Sequence, residues 1–466
     1  MSAQDVLERV SIAWIEGRLE NVLERQKQLA ALHAQLSQDS RAILIAVKED
    51  RKAIEEVAFV ELTATLDGIN ALYEQLDFHD ILARERDLKK RAKSANVLAP
   101  LGTTLVIQLS SSPIISAIAP LAAALAAGSP AIVLGSSSTP NTNTILQRVV
   151  WSTLDREAFH FESSVDNATH EAFAQASYGV AVLPDLQTSK TTGPLVRGMN
   201  PATRILEPYH GIPGGFVDRS AKENLNAAVE RIKRASAAGV AGNPYRVPRI
   251  FCVDESVMDT LKEKLEVSTD KRDDLEIWLK TTYNHAIVDS MHWQRTQGLD
   301  ILKDGSLFLV TPPGGIEIGL VPTRSLDHSI DLFNRINSGL GSQVIYVFAS
   351  GKEAFYVGNF VKTSEVFVND IPDRAFVLAS YRSVYDTTSC SYRLEDFSEL
   401  KSFQQEPSSG AHARCATLNK RKIKQYQGGR MSYFEQGLIL GAAMGLVALT
   451  GLSILSYRGV RLYIVR

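Results

Sequence analysis

The chain has 466 residues, 45% hydrophobic and 22% charged, with a formal net charge of −2. That length holds two or three domains, and that composition excludes a disordered chain. A near-neutral chain supplies no broad field for nucleic acid, and the scattered cysteines Cys252, Cys390 and Cys415 form neither a disulfide framework nor a metal-binding pair. No metal site is expected, and the cysteine usage suits a reducing compartment. The opening residues, MSAQDVLERV, show no apolar signal core.

Residues 5–98 are expected to be helical. Leu19, Val22, Leu23, Leu29, Leu32 and Leu36 recur at roughly three- to four-residue spacing with charges between them. Residues 104–109 then read as a short, β-branched, uncharged strand. Pro113 opens a helical run that Gly128 ends, and Ala131–Leu134 is a second strand. Strand, helix and strand make a βαβ unit. The alternation continues, with strands over 158–163 and 178–183 and a helix over 169–177 between them. A helix over 221–238 carries Arg231, Lys233 and Arg234, which a solvated face explains. Further strands are expected around Cys252 and over 308–310, 344–348 and 366–370. The fold class is α/β, with mainly parallel sheets and helices on both faces.

Residues 386–432 are rich in Ser, Lys and Gln and read as a polar linker. The uncharged run 437–455 is long enough, at about 1.5 Å per residue, to span a hydrocarbon core. Lys420, Arg421, Lys422, Lys424 and Arg430 precede it, and Arg458, Arg461 and Arg466 follow. Tyr433, Phe434, Tyr457 and Tyr463 sit where interfacial aromatics belong, and Gly441 and Gly445 make one helix-pairing GxxxG. The expectation is a single-pass C-terminal transmembrane helix with the main body cytosolic.

Pro120, Leu121 and the run Ala124-Leu125-Ala126-Ala127-Gly128, in this order of strands and helices, carry a family resemblance. Over residues 5–400 the chain resembles the aldehyde dehydrogenases, in particular their membrane-anchored fatty-aldehyde branch. The resemblance implies two Rossmann-like α/β domains behind N-terminal helices. Residues 1–200 would form the dinucleotide-binding-type domain and 201–385 the catalytic-type domain. It also implies NAD or NADP, a cysteine-bound thiohemiacetal from which hydride departs, and a hairpin arm that closes a homodimer, or a heterodimer with a relative.

The positions that carry this chemistry are substituted. The resemblance places the oxyanion-side Asn at Ser111, the adenosine-ribose Lys at Leu134, its neighbouring Glu at Ser137 and the nicotinamide-ribose Glu at Pro312. The nucleophile falls on Tyr245, which cannot replace a thiolate that attacks and later leaves. After the strand YGVAVL, the Gly-Ser phosphate turn gives way to PDLQTSKTTG, where Gly193 and a helix start remain as cofactor-binding candidates. Glu207 stands near the general-base position, and reads either as that base or as a turn carboxylate in a Pro/Gly-rich loop. Cys252 reads as a core residue or as a relocated nucleophile. Three functions stay open: an inactive anchored binding or scaffold protein, an oxidoreductase of altered mechanism on a lipophilic aldehyde, or a structural subunit of an active relative.

Overall fold

The computed structural model describes residues 2–51, 55–79, 83, 94–209, 211–239, 242–265, 308–310, 312, 315–337, 341–378, 392–404, 437–447 and 449–451. Met1–Gln405 is one compact unit and Glu406–Arg466 another.

The chain opens with α1 (Ala3–Ile15), α2 (Val22–Gln38), α3 (Ser40–Arg51) and α4 (Glu55–Gln75). Ser2 and Asp5 form a capping box on α1, and Asn21 caps α2. The predicted stripe is buried except at Leu23, which is 49% exposed; Leu29, Leu32 and Leu36 are at 0% exposure. The helical reading does not extend to residue 98, because β1 (Ser94–Pro100) is a strand.

β2 (Thr104–Ile107), α5 (Pro113–Ala127), β3 (Ala131–Leu134), α6 (Pro140–Thr153), β4 (Phe159–Glu162), α7 (Asn167–Ala174), β5 (Val180–Val182), α8 (Leu186–Met199) and β6 (Arg204–Leu206) follow. Helix α5 is an Ala-rich rod buried on every side. Gly128 ends it at φ 89°, a left-handed conformation that a side chain would strain. The strands form one sheet, ordered β4-β3-β2-β5-β6, and every pairing is parallel. Chain direction across the sheet reverses between β2 and β5, which makes that gap the topological switch point.

The second sheet is built from β7 (Gly214–Val217), α9 (Leu225–Ala238), β8 (Ile250–Asp254), α10 (Glu255–Leu265), β9 (Phe308–Val310), β10 (Ile318–Thr323), α11 (Leu326–Ile336), β11 (Ser342–Phe348), α12 (Gly351–Phe360) and β12 (Thr363–Val368). Its order is β12-β11-β7-β8-β10-β9, and only the pairing of β9 with β10 is antiparallel. The basic residues of α9 are not merely solvated, since Arg231 pairs with Asp370 and Arg234 with Asp373.

The predicted polar linker is interrupted by β13 (Ser398–Gln404), which pairs antiparallel with β1 through partners such as Val97 and Lys401. This two-stranded ribbon ties the end of the unit back to the strand that precedes β2. In the second unit, residues 437–447 and 449–451 are helical and exposed. No helix of the described residues is long and apolar enough to cross a membrane, and residues 452–455 of the predicted span lie outside the described residues.

Candidate functional site

Ligands of an open parallel sheet bind outside the carboxyl ends of its strands, at the switch point. Here that edge carries the loops after β2, β3, β5 and β6. The strand β6 leaves it at Leu206, and the short connection 207–213 enters β7 of the second sheet. Tyr209 N–H donates to Gln343 Oε1 (3.4 Å) and Gly211 N–H to the Gly341 carbonyl (2.9 Å), both at the start of β11. The connection therefore joins the carboxyl edge of the first sheet to the amino edge of the second.

The structure brings three predicted residues to the first of these edges. Ser111 lies in the loop after β2, and its hydroxyl is buried with no hydrogen-bond partner among the described residues. Ser137 is exposed in the turn after β3, and Glu207 is half-buried just past β6. Leu134 is buried in β3, and Pro312 is buried.

Gly193 does not belong with them. Helix α8 opens at Leu186 with Asp185 as its cap, so Gly193 lies in the helix interior. A Cβ there would sit 3.6 Å from a Leu183 methyl, which is ordinary packing distance. The helix start expected after YGVAVL is present and is set by its cap: Asp185 Oδ1 accepts from Thr188 N–H (2.7 Å) and Asp185 Oδ2 from the Thr188 hydroxyl (2.9 Å). The signal was present in the sequence as Asp followed three residues later by Thr.

Tyr245 sits on the loop that enters β8, on the amino edge of the second sheet. It is 8% exposed, and its N–H donates to Asn243 Oδ1 (3.0 Å). The loop is clamped on several sides. Asn243 N–H donates to the Phe376 carbonyl (2.7 Å), and the Tyr346 hydroxyl donates to the Arg246 carbonyl (2.7 Å). Arg246 itself is 1% exposed and grips Glu365 of β12 with two hydrogen bonds of 2.5 and 3.3 Å. Sequence reasoning missed this pair. Its partners are 119 residues apart, and no local pattern links them.

Cys252 lies mid-strand in β8, between Phe216 of β7 and Val321 of β10 in register. It is 1% exposed, and burial pushes its thiol pKa up to about 12. Cys390 and Cys415 lie outside the described residues. Among the described residues there is no group of His, Cys, Asp and Glu that could hold a metal ion.

Two further carboxylates at the sheet edge were not anticipated. Glu61 of α4 is fully buried and accepts from Ile114 N–H (2.7 Å) and Ile115 N–H (3.0 Å) at the start of α5. Burial raises its pKa to about 7, against the opposing field of Arg51 and those two N–H groups. Asp50 of α3 accepts from Asn141 N–H, Thr142 N–H and the Thr142 hydroxyl at the start of α6, at 3.2, 2.8 and 2.7 Å. Between these two helices, Gln108 donates to the Pro113 carbonyl (2.9 Å) and accepts from Ser136 N–H (2.6 Å), lacing the loop after β2 to the loop after β3.

Comparison with known proteins follows this geometry. Residues 16–272 match the family model described as the aldehyde dehydrogenase family. The chain is 24% identical over 330 residues to the beta-apo-4'-carotenal oxygenase of Neurospora crassa, covering 67% of this chain and 58% of that relative. The chain thus spans little more than half the length of that relative. Among solved structures, the substrate-bound AldH of Staphylococcus aureus superposes with a TM-score of 0.62 at 17% identity, covering 87% of this chain and 94% of that one. An NAD-dependent benzaldehyde dehydrogenase from Corynebacterium glutamicum gives a TM-score of 0.61 at 12% identity, covering 88% of this chain and 90% of that one.

Proposed function

The chain belongs to the aldehyde dehydrogenase family, and we propose that it keeps the family fold as a membrane-anchored binding or scaffold protein without thiol-dependent aldehyde oxidation. The observation that carries this reading is the state of the two candidate nucleophiles. Tyr245 occupies the nucleophile position inside a clamped, buried loop. A phenol with an ordinary pKa near 10 is mostly protonated at neutral pH and leaves an acyl adduct poorly. The alternative, Cys252, is sealed between two neighbouring strands with its pKa near 12. Burial keeps the thiol protonated at neutral pH and, at 1% exposure, out of reach of a substrate.

Membership implies NAD or NADP. The residues at the implied site do not fit a dinucleotide: Leu134, Ser137 and Pro312 replace the ribose-binding side chains, and a carboxylate caps the helix that opens after β5. No hydride step is derived for this chain. The full-length protein in detergent, supplied with a long-chain aldehyde and NAD⁺ or NADP⁺, is expected to yield no reduced nicotinamide. Turnover abolished by Cys252→Ala would overturn the reading.

Attachment to the membrane is part of the same proposal, with the body cytosolic and a second copy or an active relative as partner. Its support is the apolar helix of the second unit, whose Leu438, Leu440, Met444 and Leu446 are each 65% exposed. Deletion of residues 431–466 is expected to release the protein from membranes. A truncated chain that still pellets after a carbonate wash contradicts the anchor.

One observation favours a second reading. The Neurospora crassa relative is named for a carotenal. On that reading the chain is an oxidoreductase of altered mechanism on a lipophilic aldehyde, with Glu207 as base, and turnover would vanish in Glu207→Gln but survive Cys252→Ala.

A further inference from the structure

The starts of the helices at the carboxyl edge of the first sheet share a construction. A parallel sheet of this kind presents helix N-termini to its ligand, and their N–H groups with the helix dipole receive phosphate. In α5 the first residue, Pro113, has no N–H. The next two N–H groups, of Ile114 and Ile115, are taken by Glu61, and that of Ser116 goes to the Ser112 carbonyl at 3.1 Å. In α6 the pattern repeats. Pro140 has no N–H, Asn141 and Thr142 donate to Asp50, and Asn143 donates to the Thr139 carbonyl at 3.0 Å. At α8 the Asp185 carboxylate holds Thr188, while Pro184 removes another donor from the turn.

Helices α5 and α8 flank the switch point, since they follow β2 and β5. The start of α5 is interior, with Ile114, Ile115 and Glu61 all buried, whereas α8 carries the Asp185 carboxylate where a phosphate would be received. We propose that the Asp185 carboxylate at α8 stands in place of phosphate, so that the switch-point crevice excludes dinucleotides and other phosphorylated ligands and admits uncharged ones. A phosphate approaching α8 meets a like charge as well as an occupied donor. The buried Ser111 hydroxyl at the same edge, like the Ser189 hydroxyl in the first turn of α8, has no hydrogen-bond partner among the described residues and is left for an uncharged ligand.

This inference is independent of the nucleophile argument. A chain that cannot form a thiohemiacetal but holds NAD⁺ fails in turnover only, whereas a chain that excludes phosphate fails in binding. The test is calorimetric titration of the full-length protein in detergent with inorganic pyrophosphate, NAD⁺ and NADP⁺. Wild type is expected to show no saturable binding of any of the three. Asp185→Gly removes the carboxylate and frees the Thr188 N–H, and pyrophosphate affinity is expected to rise about tenfold or more above the wild-type limit. Asp185→Asn keeps the capping oxygen and removes the charge, guarding against a collapsed helix start, and is expected to fall between the two. Saturable dinucleotide binding by wild type overturns the proposal, as does failure of both variants to gain pyrophosphate affinity.

Discussion

Arg246 carries its charge into the interior of the second sheet, one residue beyond the position where the family fold would hold its nucleophile. Such a charge persists only when paired and hydrogen-bonded, and Glu365 meets it through two bonds. Glu365→Gln removes the carboxylate bonded to that buried guanidinium, and is expected to cost about 3–5 kcal/mol in urea unfolding. Arg246→Met with Glu365→Leu should recover most of the loss, because an apolar pair of similar volume carries no desolvation penalty. A loss below about 1 kcal/mol in Glu365→Gln would mean that the clamp is not what seats the Tyr245 loop. At this scale family spacing in the sequence proposes Ser111, Leu134, Ser137, Tyr245 and Pro312 as substituted positions. Their surroundings were not legible there. The pairing of Arg246 with Glu365 and the sealing of Cys252 come from strand neighbours far along the chain.

At the scale of elements, α5 was readable from its ends, because Pro113 and Gly128 act locally. Its cap was not readable, because Glu61 arrives from 53 residues away. A helix start in PDLQTSKTTG was readable, but Gly193 lies inside α8 and the cap is Asp185. The cap on α5 also has a pH signature. Burial raises the Glu61 pKa from 4.5 to about 7, so the folded state binds this proton more tightly than the unfolded chain does. The stabilisation is fully present below the ordinary carboxylate range and is lost as pH rises through about 7. Glu61→Gln keeps an oxygen for the Ile114 and Ile115 N–H groups and cannot ionise. It is expected to be more stable than wild type at pH 8, by up to about 3 kcal/mol, with the gap closing towards pH 5. Parallel stability–pH curves for the two proteins would show that Glu61 does not titrate in this window.

The whole molecule was legible as far as βα alternation reaches. Both sheets and their mainly parallel pairing follow from short apolar strands separated by amphipathic helices. The ribbon of β1 and β13 was not legible, because its strands lie far apart along the chain and β13 lies in a stretch with a linker's composition. The retained core and the substituted sheet edge together motivate the central claim, that the fold persists without its thiol chemistry. The claim is tested most directly by intact-mass spectrometry of the full-length protein, acid-quenched after incubation with a long-chain aldehyde and NAD⁺ or NADP⁺. The account predicts an unchanged mass, because the proposal puts Tyr245 at the nucleophile position and Cys252 is buried in β8; an acyl increment that maps to a cysteine would contradict it.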